Sequence, residues 1–262
     1  MYPNEIIFGL DLYGILLCVA VIAALLIYRS VADYLHIKAR LQNLCIYAAM
    51  AAIIGGYFSA VLFQAFYNIK KYGKFVINSE TGATFYGGLI GGAAVFLLIY
   101  FIFGGRMFKE REHLSGFFSV ADAAACSISL AHGIGRIGCL MAGCCHGART
   151  DKWFGIYMVD LGYKVVPIQL FEAIFLMLLC MSFLLLIRSK KTYCLQIYMI
   201  VYGAWRFAVE YLRDDYRGTT VVELLTPSQL TALLMMLGGA ALILLQRELM
   251  RAWRTKEEAV QK

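Results

Sequence analysis

Seven stretches of near-continuous apolar residues divide the chain, each bounded by charges or by glycine and proline clusters. They are Phe8–Tyr28, Leu44–Gln64, Phe85–Phe103, Phe117–His132, Leu170–Ile187, Cys194–Tyr211 and Leu230–Leu245. A helix needs roughly 20 mainly apolar residues to cross about 30 Å of hydrocarbon, so each stretch predicts a spanning helix, the fourth being the shortest. The expected fold is all-α: a polytopic membrane protein of about seven transmembrane helices, with residues 1–262 forming a single integral-membrane domain. The longer connections, Ala65–Thr84, Gly133–Gln169 and Arg213–Gln229, all fall on one face in this arrangement, and long connections are where function concentrates.

Composition agrees with the pattern. Of 262 residues, 61% are hydrophobic and 16% charged, which excludes an ordinary soluble domain. Sorting the lysines and arginines by the face on which an odd number of spans places them puts 14 on one side and 9 on the other, with Arg206 inside a span. The positive-inside rule then predicts an outer N-terminus and a cytoplasmic C-terminus. The net charge of +7 reads as a topology signal and as attraction to anionic lipid heads in the bilayer, and no nucleic-acid partner is expected. The N-terminal stretch lacks a basic n-region and a small-residue cleavage pattern, so the first helix is expected to be retained.

Small residues recur at four-residue spacing in Tyr86-Gly87-Gly88-Leu89-Ile90-Gly91-Gly92, and Gly55-Gly56 precede Tyr57 and Ser59 in the second span. Such spacing lets helix backbones approach closely in a membrane.

Chemistry concentrates in two places. The first is the run His132 to Gly147, which holds Gly135-Arg136-Ile137-Gly138-Cys139 and Cys144-Cys145-His146-Gly147. Alternate glycines predict a bend that presents N–H groups to an anion, and Arg136 adds a planar fork matched to phosphate. A re-entrant turn whose arginine caps carbonyls is the plainer explanation. The cost of an arginine at membrane depth favours anion recognition, with a phospholipid head group as the anion. The second place is the sixth span, where Tyr202, Arg206, Glu210 and Arg213 follow at steps of four, four and three, along one face of a helix. That stripe should face the bundle interior or a watery cavity. An Arg206–Glu210 pair serving only helix packing is the alternative. Asp11, Asp122 and Glu172 are further carboxylates in or beside apolar spans, and their partners are not readable from sequence.

Five of the eight cysteines, Cys18, Cys45, Cys126, Cys180 and Cys194, sit in or at the ends of apolar spans and need no role beyond packing. Cys139, Cys144 and Cys145 differ. Disulfide, nucleophile and plain packing all fit their chemistry, while the spacing is not that of a regular zinc site, so no metal and no cofactor are expected.

These residues resemble the prolipoprotein diacylglyceryl transferase family over nearly the whole chain. The resemblance rests on Gly135-Arg136-Ile137-Gly138 with Asp122 before it and Gly147 after. It extends to Tyr13-Gly14, to Gly87-Gly88 and Gly91-Gly92, to Pro167, Gln169, Leu170 and Glu172, and to Tyr202-Gly203, Arg206-Phe207, Glu210, Arg213 and Gln229. It implies a seven-helix enzyme of the bacterial inner membrane that moves the diacylglyceryl group of phosphatidylglycerol to the lipobox cysteine of a prolipoprotein signal peptide, releasing glycerol phosphate. It also implies that Arg136 and Arg206 bind the phosphate, with Glu210 orienting Arg206. Tyr13, Gly135, Gly138, Gly147, Tyr202 and Arg213 line the substrate site by the same resemblance.

Three positions depart from the family pattern. Cys139 stands where the family usually has asparagine, Cys144 where it has glutamate, and Tyr86 where it has a histidine of base-like role. Cys139, Cys144, His146 and Tyr86 are therefore the expected places of altered chemistry, with His132 or His146 as the base. Transfer to a different acceptor is a variant of this reading. A membrane thiol-redox, metal- or lipid-binding protein without transfer activity is the alternative from another class.

Overall fold

A computed structural model describes residues 11–73, 75, 77, 81–109, 112–190, 192–213 and 224–260. The expected start of the first span, Phe8 to Leu10, lies outside the described residues. So do Lys74, Arg111, Lys191, Arg217 and Lys262 of the charge count.

Among the described residues the chain is almost wholly helical. The helices are α1 (Leu12–Tyr34), α2 (Ala39–Tyr72), α3 (Phe85–Met107), the single turn α4 (Glu112–Ser115), α5 (Phe117–Met141), α6 (Ile168–Arg188), α7 (Cys194–Val209) and α8 (Pro227–Val260). A small antiparallel hairpin, β1 (Ile156–Met158) with β2 (Tyr163–Val165), lies between α5 and α6 and pairs Tyr157 with Lys164. Among the described residues six helices are long and apolar enough to cross a membrane: α1, α2, α3, α5, α6 and α8. The seventh expected span, α7, has 16 residues and continues into a 3₁₀ turn over Glu210–Leu212. Together they reach about 30 Å, the thickness of the hydrocarbon.

Two expectations about boundaries are corrected. The glycine-rich run after His132 does not bend out of the helix, because α5 continues unbroken to Met141. Inside a bilayer a broken backbone would leave N–H and C=O groups unsatisfied, at a cost of several kcal/mol each, more than the roughly 1 kcal/mol that each helical glycine loses. Gly133 and Gly138 serve close packing instead. A Cβ on Gly133 would meet the Ala173 carbonyl at 3.4 Å, and one on Gly138 would meet the Tyr13 ring at 3.0 Å. The chain leaves α5 at Gly143, whose φ is +72°, the left-handed conformation that commonly ends a helix. Secondly, α7 ends at Val209, so Arg213 stands beyond the helix in extended backbone rather than on its polar stripe.

The chain divides into two compact units, one of Met1–Val31 with Ala121–Lys262 and one of Ala32–Val120. In the second unit α2 and α3 pack through the glycines picked out by their spacing. A Cβ at Gly56 would stand 2.9 Å from the Gly88 carbonyl, and one at Gly91 would collide with the Ser59 side chain. Gly91→Ala is therefore expected to force the two helices apart and destabilise the protein by about 1–3 kcal/mol. Thermal unfolding in detergent should show the lowered midpoint. Gly105→Ala, at a position with open space around it, should leave the midpoint in place or raise it.

In the first unit α7 and α8 lie equally close. A Cβ on Gly203 would meet the Ala232 carbonyl at 2.9 Å, and one on Gly239 would meet the Gln196 carbonyl at the same distance. Buried Gln196 donates to Gln246 at 2.6 Å across this contact. Asp122, on α5, accepts from the backbone N–H of Cys194 at 2.7 Å and so caps α7. Asp11 caps the start of α1 by accepting from the Gly14 N–H at 2.7 Å. Two of the three carboxylates left without partners by the sequence thus hold helix ends. The third, Glu172, does something else.

Candidate active site

Pro167 opens α6, and Gln169 and Glu172 follow three residues apart on one face, both almost completely buried. Glu172 is the hub of the polar centre of the first unit. Its Oε2 stands 3.0 Å from Arg136 Nε, its Oε1 accepts from the Tyr202 hydroxyl at 2.7 Å, and His132 Nε2 lies 3.8 Å away. An ionised carboxylate at membrane depth needs such company, since an isolated buried charge costs several kcal/mol. His132 and Arg136, one helical turn apart on α5, present the complementary groups. His132 Nδ1 is 3.3 Å from the Tyr198 hydroxyl, and the ring meets Tyr202 edge-on at 5.0 Å. Tyr198 and Tyr202 stack in parallel on α7, which fixes both hydroxyls toward this centre.

The same face of α7 carries Arg206, which pairs at 2.9 Å with Glu210, the first residue of the 3₁₀ turn that follows. The start of α8 positions both. Thr226, Pro227 and Gln229 form a capping box: the Thr226 hydroxyl accepts from the Gln229 N–H at 3.2 Å, and the Gln229 side chain accepts from the Thr226 N–H at 3.1 Å. With the helix start fixed in this way, the Thr226 hydroxyl donates to Glu210 at 2.9 Å and Ser228 accepts from Arg206 at 2.8 Å. His132 lies within electrostatic reach of both arginines. One buried region therefore holds two guanidinium groups, each with its own carboxylate.

Thr226→Ala should cost about 1 kcal/mol of helix stability and leave Glu210 without its hydroxyl donor. Urea or thermal unfolding measures the first effect. A rate loss in Thr226→Ala that Thr226→Ser restores would identify the second.

Beside this centre the turn after α5 folds three thiols together. The sulfurs of Cys139, Cys144 and Cys145 all lie within 4.8 Å of one another. Cys145 adopts a φ of +60°, which a side-chain-bearing residue rarely takes, and this conformation swings it back toward the helix end. Two side chains pin the turn from outside: Gln169 donates to the Cys144 carbonyl, and Arg213 donates to the Cys145 carbonyl at 3.1 Å. Hydrogen bonds from the Cys139 and Cys144 thiols, together with the nearby Arg136 and Arg213, pull the Cys145 thiol far below its ordinary range, and the same bonds push Cys144 up.

The structure brings together most of the residues singled out from the sequence. Arg136, Cys139, Cys144, Tyr202, Arg206, Glu210 and Arg213 surround this region. Tyr13 packs on Gly138 and lies within electrostatic reach of the three cysteines. Gly147 is held where a Cβ would meet the Leu212 carbonyl at 2.8 Å. Gly135 faces open space. His146 turns its Nδ1 to the Gly147 carbonyl at 2.9 Å, so of the two candidate imidazoles His132 is the one in the polar centre. Tyr86, half-buried near the start of α3, belongs to the other unit. Sequence reasoning left Glu172 without a partner and passed over Tyr198, Thr226 and Ser228. The Thr226-Pro227-x-Gln229 capping pattern points to Thr226 and Ser228, Tyr198 extends the polar stripe one turn before Tyr202, and no spacing within α6 reveals the partners of Glu172.

The family profile described as prolipoprotein diacylglyceryl transferase matches residues 4–245. A phosphatidylglycerol–prolipoprotein diacylglyceryl transferase 2 from Clostridium perfringens is 31% identical over 247 residues, covering 90% of this chain and 91% of the relative. Proteins named phosphatidylglycerol–prolipoprotein diacylglyceryl transferase from Clostridium tetani and Clostridioides difficile are 28% and 31% identical, each over 89% of this chain and over 92% and 90% of their own lengths.

Proposed function

The chain belongs to the prolipoprotein diacylglyceryl transferase family, and we propose that its polar centre binds the phosphate of phosphatidylglycerol while the diacylglyceryl group passes to the lipobox cysteine of a prolipoprotein signal peptide. The observation that carries this reading is the pair of buried arginines, Arg136 on Glu172 and Arg206 on Glu210, converging on His132. A phosphodiester anion entering here replaces part of each carboxylate's claim on its guanidinium. As the acceptor sulfur attacks the glycerol carbon, the carbon–oxygen bond breaks and its electron pair leaves on the phosphate oxygen. Preplaced guanidinium groups in a water-poor site stabilise that developing charge, and removal of one such donor elsewhere costs roughly 10²–10³ in rate. The proton of the acceptor thiol passes to His132, the imidazole held between Glu172 and Tyr198.

In this reading the protein sits in the bacterial inner membrane with its N-terminus outside and its C-terminus cytoplasmic, as the bias of lysine and arginine between the faces supports. The site then meets acceptors on the outer side. The test uses purified protein in micelles containing phosphatidylglycerol labelled in the head-group glycerol, together with a lipobox peptide. One labelled glycerol phosphate should appear for each peptide that gains a thioether-linked diacylglyceryl group, and a Cys→Ser peptide should release none. Absence of labelled glycerol phosphate with the cysteine peptide would refute the assignment.

A further inference from the structure

We propose that Cys139, Cys144 and Cys145 form a three-thiolate site for a soft divalent cation of the zinc class, with one coordination position left open for the acceptor thiol. The second half of this proposal rests on the transferase reading; the first half does not.

The three sulfurs lie within 4.8 Å of one another. Around a tetrahedral ion with metal–sulfur bonds of about 2.3 Å they would sit about 3.8 Å apart, so rotamer adjustments of about 1 Å close the site. They come from two pieces of chain, the last turn of α5 and the turn beyond it. Their sequence spacing is therefore irregular although their spatial grouping is close. The backbone of the turn is already set for ligation. Cys145 is held in a left-handed conformation, and the carbonyls of Cys144 and Cys145 are fixed by Gln169 and Arg213. Such conformations persist where the surroundings enforce them, and they gather at functional sites. Charge also matches. Three thiolates around a divalent ion carry one net negative charge, and Arg136 and Arg213 both lie within electrostatic reach of Cys145. Soft thiolate ligands select zinc-class cations over magnesium or calcium.

Three protein ligands and an open fourth position are the pattern of catalytic rather than structural zinc. Among the described residues the grouped ligands are these three thiols, and His146 is turned to the Gly147 carbonyl. The acceptor of the proposed reaction is itself a thiol. On coordination its S–H proton leaves through water toward His132, two helical turns along α5 from Cys139, and the metal-held sulfur then attacks the glycerol carbon. The carbon–oxygen bond breaks toward the phosphate, and the thioether product, a poorer ligand than a thiolate, departs. Arg136 and Cys139 are three residues apart on α5 and so share a face, which places the thiol site beside the proposed phosphate site.

The experiment titrates cobalt(II), as an optical stand-in for zinc, into the reduced full-length protein in detergent. One equivalent should produce the sulfur-to-cobalt charge-transfer absorption together with the strong visible bands of a tetrahedral site, and zinc should abolish both. The Cys139→Ser/Cys144→Ser/Cys145→Ser variant should lose the bands, whereas Cys45→Ala should keep them. Because the triple variant can misfold, the exposed Cys144→Ser is measured alongside and should bind more weakly while eluting as folded protein. A reduced wild-type protein without thiolate bands, or bands that survive the triple substitution, would overturn the cation site. Adding a lipobox peptide should shift the visible bands, and its Cys→Ser counterpart should not. Chelated protein that still transfers at the full rate would remove the acceptor role and leave the transferase reading intact.

Discussion

Arg136→Ala is expected to abolish transfer to the lipobox peptide, with a rate loss of at least about 10²–10³, and to destabilise the protein at the same time. Both effects follow from one contact. The guanidinium stands 3.0 Å from a carboxylate that is 2% exposed, and removing one partner of a buried pair leaves an uncompensated charge at a cost of about 3–5 kcal/mol. A loss of activity in this variant alone would therefore not separate chemistry from folding. Arg136→Lys separates them in part. Lysine restores the positive charge as a point and not as a planar fork, so it should recover much of the stability and little of the rate. Thermal unfolding and single-turnover transfer on the same preparations give the two numbers.

Arg206→Ala is the second large effect, again about 10²–10³ in rate, with a penalty in stability from the broken buried pair. Its partner Glu210 keeps a hydrogen bond from Thr226 when the guanidinium is gone, as Glu172 keeps one from Tyr202 when Arg136 is gone, so each carboxylate retains one hydroxyl donor. The ratio of rate loss to stability loss should thus be similar for Arg206→Ala and Arg136→Ala. Single-turnover kinetics with saturating lipid is the appropriate measurement, because a change confined to lipid binding would disappear at saturation while a loss of leaving-group stabilisation would not.

Much of this architecture was legible in the residues. Apolar runs marked the spans because the bilayer allows few alternatives to a helix, and the glycine spacing in α2 and α3 named a contact that the structure contains. The Arg206–Glu210 pair was readable because a four-residue step always places two side chains on one helical face. The error at Gly135-Arg136-Ile137-Gly138 has a specific origin. In water several glycines in a short run predict a bend, whereas in hydrocarbon the backbone must satisfy itself and the helix survives. The partners of Glu172 were not readable for the opposite reason: Arg136 on α5 and Tyr202 on α7 are distant in sequence, and no periodicity within α6 reveals them. The three thiols were picked out by their spacing, but their mutual approach was not readable, since it depends on how the helix end and the following turn carry Cys144 and Cys145 back toward Cys139. The Thr226-Pro227-Ser228-Gln229 capping box was readable in principle and lay just before the apolar run that opened the last span.

Glu172 and Arg136 can be read as a packing device or as part of a phosphate site, and one variant distinguishes the two. Arg136→Gln/Glu172→Gln replaces the buried ion pair by two neutral amides, so no uncompensated charge is left in the interior, the main cost of breaking such a pair. It also preserves an acceptor for the Tyr202 hydroxyl. Single-turnover transfer by this variant, measured beside its thermal midpoint, is the most direct measurement. A protein with a near-native midpoint and transfer reduced at least about 10²-fold is the predicted result, and near-native transfer at that same midpoint would contradict it.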